Sequence, residues 1–152
     1  MSQQRWRLDG QLALVTGGSA GIGRAIAREL LGFGARVLIA ARDGNGLDAV
    51  RIELEEEFPD GEVRTCVADV ADDEQRRELL DWVEDIGDGL NILVNNAGGN
   101  LTKAAIDYSE DEWRGIFEVN LFSAFELARA AYPLLTRHAA SAIVNIRCCR
   151  RS

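Results

Sequence analysis

Five short runs of β-branched and aliphatic residues, near Leu12 to Thr16, Arg36 to Ala41, Glu62 to Val67, Asn91 to Asn95 and Ala142 to Ile146, alternate with longer amphipathic stretches. That alternation is the signature of repeated βαβ units around a parallel sheet, so the chain reads as an α/β domain. A first helix is expected from about Gly21 to Phe33, ending at Gly34, which suits a left-handed C-terminal cap. A second spans roughly Asn45 to Phe58 and stops before the turn sequence Pro59-Asp60-Gly61. A third starts near Asp72 or Asp73, whose short carboxylates accept free backbone N–H groups, and runs to about Ile86. The fourth is expected to be the longest. It opens with the capping-box pattern Ser109-Glu110-Asp111-Glu112 and continues through Trp113, Ile116, Phe117, Leu121, Phe125 and Leu127, with Pro133 kinking or shortening its end.

With 152 residues, 47% hydrophobic and 28% charged, the chain can bury the core of one soluble domain. No internal repeat or linker divides it. No run approaches the roughly 18 apolar residues that cross a bilayer, and Met1 to Arg7 carries no apolar signal segment, so no membrane partner and a cytoplasmic location are expected. A net charge of −8 argues against a nucleic-acid surface, which needs clustered Lys and Arg. Cys66, Cys148 and Cys149 show no repeated ligand spacing and His138 is the sole histidine, so no metal site is expected and the thiols read as free.

The segment Thr16-Gly17-Gly18-Ser19-Ala20-Gly21-Ile22-Gly23 links the first strand to the first helix, with the spacing G-x-x-x-G-x-G. A sharp strand-to-helix turn needs one residue tolerant of positive φ, one without a Cβ where a diphosphate nears the backbone, and one where the helix packs close to the strand. The helix N-terminus then offers free N–H groups and partial positive charge to phosphates. A tight turn that binds nothing would need similar glycines. The strand-loop-helix context favours the phosphate reading.

With that loop in view, the chain resembles a short-chain dehydrogenase/reductase (SDR), and the following Arg24-Ala25-Ile26-Ala27 is similar to bacterial and plant reductases of the tropinone-reductase-like kind. The resemblance extends to about Ile146. It implies a Rossmann-type doubly wound parallel sheet with helices on both faces, here lacking its C-terminal strands and helices. It further implies that Gly17, Ser19, Gly21, Ile22, Gly23, Arg42, Asp69, Val70, Asn96, Ala97 and Gly98 bind the cofactor. In the family, the carboxylate matching Asp69 meets the adenine ring, and the Asn-Asn-Ala-Gly motif, here Asn95-Asn96-Ala97-Gly98, stabilises the sheet beside the cofactor ribose. Asp69 could instead cap the following turn. Asn120, in Phe117-Glu118-Val119-Asn120-Leu121, matches the catalytic-tetrad Asn that holds a water linked to the active-site Lys. An unpartnered amide within an apolar helix costs about 1–3 kcal/mol, so Asn120 either serves such a role or faces solvent.

Cofactor choice is read at the end of the second strand, Ile39-Ala40-Ala41-Arg42-Asp43. A carboxylate there accepts a ribose 2′-OH, and an Arg binds a 2′-phosphate through bidentate, charge-assisted bonds. The acidic position holds Ala41, and Arg42 matches the phosphate-binding Arg of NADP-dependent relatives, so NADP is expected over NAD. Two residues run the other way: Ala20 stands where many NADP-dependent relatives carry a second basic residue, and Asp43 could reach a 2′-OH. Arg42 could also be a plain solvent-exposed side chain.

The family's chemistry also needs a Ser and a Tyr-x-x-x-Lys. Four positions after Tyr108 and Tyr132 stand Glu112 and Thr136, and the only lysine, Lys103, lies in a loop before the fifth strand. Beyond Ile143-Val144-Asn145-Ile146 the family continues with two serines, where this chain has Arg147 and Cys148. Residues 1–146 are therefore expected to be an incomplete NAD(P)-binding domain, and 147–152 an aberrant basic tail of out-of-frame origin or a genuine basic extension. The expected function is that of an NADP-dependent oxidoreductase, for ketone reduction or secondary alcohol oxidation, present as a catalytically incomplete cofactor-binding fragment. A non-catalytic nucleotide-binding or regulatory module, or a nonfunctional truncated product, is the alternative. Its partners would be a nicotinamide dinucleotide and, in the whole family member, a small-molecule carbonyl or alcohol. The family's homo-oligomer would be impaired, Phe117, Phe122 and Phe125 partly exposed, the fifth strand left as a sheet edge, and stability marginal.

Overall fold

Every expected run becomes a strand: β1 (Leu12–Thr16), β2 (Arg36–Ala41), β3 (Val63–Val67), β4 (Ile92–Asn95) and β5 (Ala142–Asn145). The structure is a computed structural model and describes residues 6–146, so Cys148, Cys149 and the expected basic tail lie outside the described residues. All strand pairs are parallel and the sheet order is β3-β2-β1-β4-β5. After β3 the chain returns past β1 to add β4 on its far side. Connections therefore leave β1 and β4 in opposite directions, which opens a crevice at their C-terminal ends.

Side-chain alternation along β1 and β2 supplies two cores. Leu12, Leu14 and Leu38 pack with Leu79 and Val83 of α3 (Asp73–Ile86) and with Leu127 and Leu134 of the last helix. Val15, Val37 and Ile39 pack with Ala27 and Leu31 of α1 (Gly21–Gly32) and with Leu47 and Leu54 of α2 (Gly44–Glu57). The helices thus cover both faces of the sheet, as the doubly wound reading requires. Leu14, Leu38 and Leu54 are wholly buried, and truncating any one to Ala is expected to cost about 2–5 kcal/mol.

Helix ends follow local chemistry. Gly34 has φ +92° and closes α1, with the Gly34 N–H on the Leu31 carbonyl and the Ala35 N–H on the Leu30 carbonyl, a Schellman pair. Asp72 caps α3 by accepting from the Gln75 N–H at 2.9 Å. Ser109 and Glu112 form the reciprocal capping box at the start of α4 (Glu110–Phe117).

The expected long fourth helix is present and runs without a gap, but its middle is widened. Between α4 and α5 (Ser123–Leu135) a π-helical turn spans Glu118–Phe122. Side chains hold this widened turn: the Asn120 amide donates to the Ile116 carbonyl at 2.8 Å and the Ser123 hydroxyl to the Val119 carbonyl at 2.7 Å, each four residues back. Pro133 lies inside α5, which ends two residues later at Leu135.

At the opposite side of the sheet from β3, every residue of β5 is exposed. Phe117, Phe122 and Phe125 on α4, the π turn and α5 are likewise exposed, by 49%, 49% and 62%, which matches the partial exposure expected for them. No helix among the described residues is long and apolar enough to cross a membrane.

Candidate functional site

The glycine loop begins at Thr16, a buried residue whose hydroxyl joins β1 to β4. Its Oγ accepts the N–H groups of Asn96 and Ala97, at 3.1 and 3.0 Å, and donates to the Val94 carbonyl at 3.3 Å. The Asn96 amide donates to the carbonyls of Thr16 and Gly17, at 3.0 and 3.1 Å. Thr16 and Asn96 therefore pin the loop to the end of β4. The loop's shape also needs missing side chains: Gly17 has φ +66°, and a Cβ there would stand 2.8 Å from Ala97 Cα. A Cβ on Gly23 would come within 2.4 Å of Asn96 Nδ2 and 2.5 Å of the Gly17 oxygen. Close packing at the third glycine is thus against the loop and Asn96, not against the strand.

Beyond this turn α1 starts without protection. Its N-cap residue is Ala20, no side chain caps it, and its first turn holds no acid. Gly21 faces open space, with no atom within 4 Å of an added Cβ. A helix start with unclaimed N–H groups and bare space before it has the form of an anion cradle. Ile22 lies on the same turn and is exposed.

Gly17, Ser19, Ala40, Ala41, Arg42, Asp43, Ala68, Asp69, Val70, Ala97, Gly98 and Val119 line a cleft of about 260 Å³ at the C-terminal ends of the strands. Of the residues singled out in the sequence, it brings together Gly17, Ser19, Arg42, Asp69, Val70, Ala97 and Gly98. Gly21, Ile22, Gly23 and Asn96 are outside its lining. The first two sit at the start of α1 and the other two brace the loop from behind. Arg42 is exposed and forms no ion pair among the described residues. One Asp69 oxygen accepts the Ala71 N–H at 2.9 Å, so this carboxylate caps its turn, as the alternative reading had it, while also lining the cleft.

Asn120 is half-buried and lines a neighbouring cavity of about 220 Å³ with Asn95, Phe125 and Asn145. Its amide is fully engaged: Nδ2 donates to the Gly99 carbonyl at 2.6 Å as well as to Ile116, and Oδ1 accepts the Gly99 N–H at 3.3 Å. Asn120 therefore ties the loop after β4 to the π turn and does not simply face solvent.

Three positions escaped the sequence reading. Thr16 was read as the end of the first strand and the head of the glycine loop, with no role for its hydroxyl. Gly18 must lack a side chain because a Cβ would stand 2.4 Å from Ile39 Cγ2. Arg76 of α3 is buried, donates to the Val70 carbonyl at 2.6 Å and lies 3.9 Å from Glu118, bracing the Asp69–Val70 wall of the cleft against the π turn. Only Thr16 had a signal in sequence, as the hydroxyl directly preceding the glycines.

The family described as short chain dehydrogenase matches residues 11–149. A tropinone reductase homologue of Arabidopsis thaliana is 43% identical over 144 residues, covering 93% of this chain and 53% of the relative. Senescence-associated protein 13 of the same plant is 42% identical over 144 residues, covering 93% of this chain and 52% of its own. Among solved structures, the RhlG/NADP active-site complex of Pseudomonas aeruginosa is 36% identical with a TM-score of 0.82, covering 89% of this chain and 52% of that one. L-Sorbose reductase of Gluconobacter frateurii, complexed with NADPH and L-sorbose, is 30% identical with a TM-score of 0.86, covering 91% and 52%. The chain spans about half the length of the curated relatives it matches.

Proposed function

The chain belongs to the short chain dehydrogenase family, and we propose that it provides the dinucleotide site of an NADP-dependent oxidoreductase acting on a ketone or a secondary alcohol. The observation that carries this reading is what the cleft brings together: the glycine loop at the unprotected start of α1, suited to a diphosphate, and Arg42, suited to a 2′-phosphate, with Ala41 where a competing carboxylate would be. When bound, the dinucleotide supplies or takes up hydride. The residues of this chain orient it. Asp69 and Val70 would flank the adenine, and Ala97 and Gly98 the nicotinamide-side ribose. The NADP and NADPH carried by the two solved relatives support the choice of cofactor.

Proton transfer is a separate matter. These 152 residues contain no Tyr-x-x-x-Lys, and their one lysine, Lys103, is paired with Glu112. This polypeptide alone is therefore proposed to bind NADP(H) without turnover, and the same observation favours a second reading as a non-catalytic nucleotide-binding module. Asn120, with its amide spent on Gly99 and Ile116, would act here by holding the loop beside the cofactor. A cytoplasmic setting goes with the proposal. The test is a fluorescence titration of the chain with NADPH, followed by NADPH consumption across a panel of ketones. Saturable binding without consumption supports the reading. Absence of binding by the folded chain refutes it, and turnover would refute the non-catalytic part.

A further inference from the structure

We infer that Arg76 is a positioning residue of the cleft: it fixes the separation of two walls, the Asp69–Val70 turn and the π turn that carries Val119, and so sets the slot for the adenine ring. The inference rests on reading the cleft as a dinucleotide site. Arg76 occupies a core position. It shares the buried side of α3 with Leu79, Leu80 and Val83, where a helix that only packs would carry another apolar residue. An Arg is seldom buried this far unless its charge is paired and its donors are engaged. Its side chain is 8% exposed, and what engages it is the wall of the cleft.

Two consecutive side chains in the first turn of α3 clamp that wall. Gln75 Oε1 accepts the Asp69 N–H at 2.9 Å, and Arg76 Nη1 donates to the Val70 carbonyl at 2.6 Å. The same Nη1 lies 3.9 Å from the Glu118 carboxylate, at the start of the π turn. Asp73, the other acid beside Arg76 at 3.5 Å, is shared with Arg77 of the same helix, so Glu118 is the partner that reaches a different element. Val70 and Val119, the residue after Glu118, both line the cleft. One guanidinium thus runs from the carbonyl of one lining residue to the chain neighbour of the other. A ring entering between these elements is sensitive to their spacing, since a gap of about 0.5–1 Å forfeits about a quarter to a half of each contact. A planar, preorganised fork holds such a spacing better than a flexible ammonium could.

The probes are NADPH and adenosine 2′,5′-bisphosphate, which keeps the adenine end and lacks the nicotinamide, titrated calorimetrically into the full chain. Arg76→Met is expected to weaken both by about tenfold and Glu118→Ala by about threefold, equally for the two ligands because the loss lies at the end they share. Glu118 has a 42% exposed side chain, so Glu118→Ala should keep the melting temperature of the unsubstituted chain. Charge alone would drive the variants apart, because losing a cation weakens an anionic ligand and losing an anion strengthens it. A merely structural role would leave the affinity of each folded variant unchanged. A gain or no change in Glu118→Ala, whether or not Arg76→Met folds, overturns this inference and leaves the function reading intact, as does an unshifted affinity in folded Arg76→Met. A folded unsubstituted chain that binds neither ligand overturns both.

Discussion

Helices α1 and α2 begin differently from α3 and α4. The first two follow β1 and β2 into the cleft, carry no side-chain cap and have no acid in the first turn. The other two are capped, by Asp72 and by the Ser109–Glu112 box, and each has two or three acids in its first turn: Asp73 and Glu74 in α3, Glu110, Asp111 and Glu112 in α4. Every helix start leaves up to four N–H groups without partners. Where the chain's own side chains satisfy them, the helix gains about 1 kcal/mol and is closed to anions. Left unsatisfied beside an open cleft, they are available to a phosphate. The contrast separates ends that serve the fold from ends left open to the proposed ligand.

The largest effect should come from breaking the loop that aims α1. Gly23→Ala would drive a Cβ into Asn96 Nδ2 and the Gly17 oxygen, and is expected to weaken NADPH binding more than about a hundredfold and to lower stability by about 1–3 kcal/mol. Binding and thermal unfolding measured together check both parts. Ala20→Asp would make α1 resemble α3. Its extended backbone (φ −158°, ψ 172°) suits a cap, so the free chain should gain about 0.5–1 kcal/mol while NADPH binding falls about tenfold. A gain in both would break the comparison.

Ser109→Ala should do the reverse of a ligand-site change, costing about 1 kcal/mol in denaturant unfolding and leaving NADPH affinity untouched. The smallest effect concerns pH. The Lys103 ammonium, then the Ser109 N–H, holds the Glu112 carboxyl below its usual 4.5. A carboxyl depressed on folding contributes stability above its unfolded value, lost as pH falls through the folded one. Glu112→Gln should therefore lower the melting temperature slightly near neutrality and flatten the acid limb of the profile, with no difference from the unsubstituted chain at a pH where Glu112 is already protonated.

What could be read in the sequence was what local chemistry decides. Apolar runs gave the strands to within a residue, and Gly34, Asp72 and Ser109 gave three helix ends because each acts on backbone within a few residues of itself. The π turn could not be read this way. It depends on Asn120 reaching Gly99, 21 residues earlier in the chain, while Asn120 and Ser123 take carbonyls that an ordinary helix would use internally. Thr16 likewise acts through Val94, Asn96 and Ala97, partners that only the β1–β4 crossing brings near.

The most direct test of the account is an amide NMR map of the full chain titrated with NADP. Ser19, Gly21 and Ile22 at the open start of α1, together with Arg42, should shift and saturate on one isotherm, while Asp73 to Gln75 and Glu110 to Glu112 at the capped starts stay still. Saturable shifts confined to the capped ends, or none at the start of α1, would contradict it.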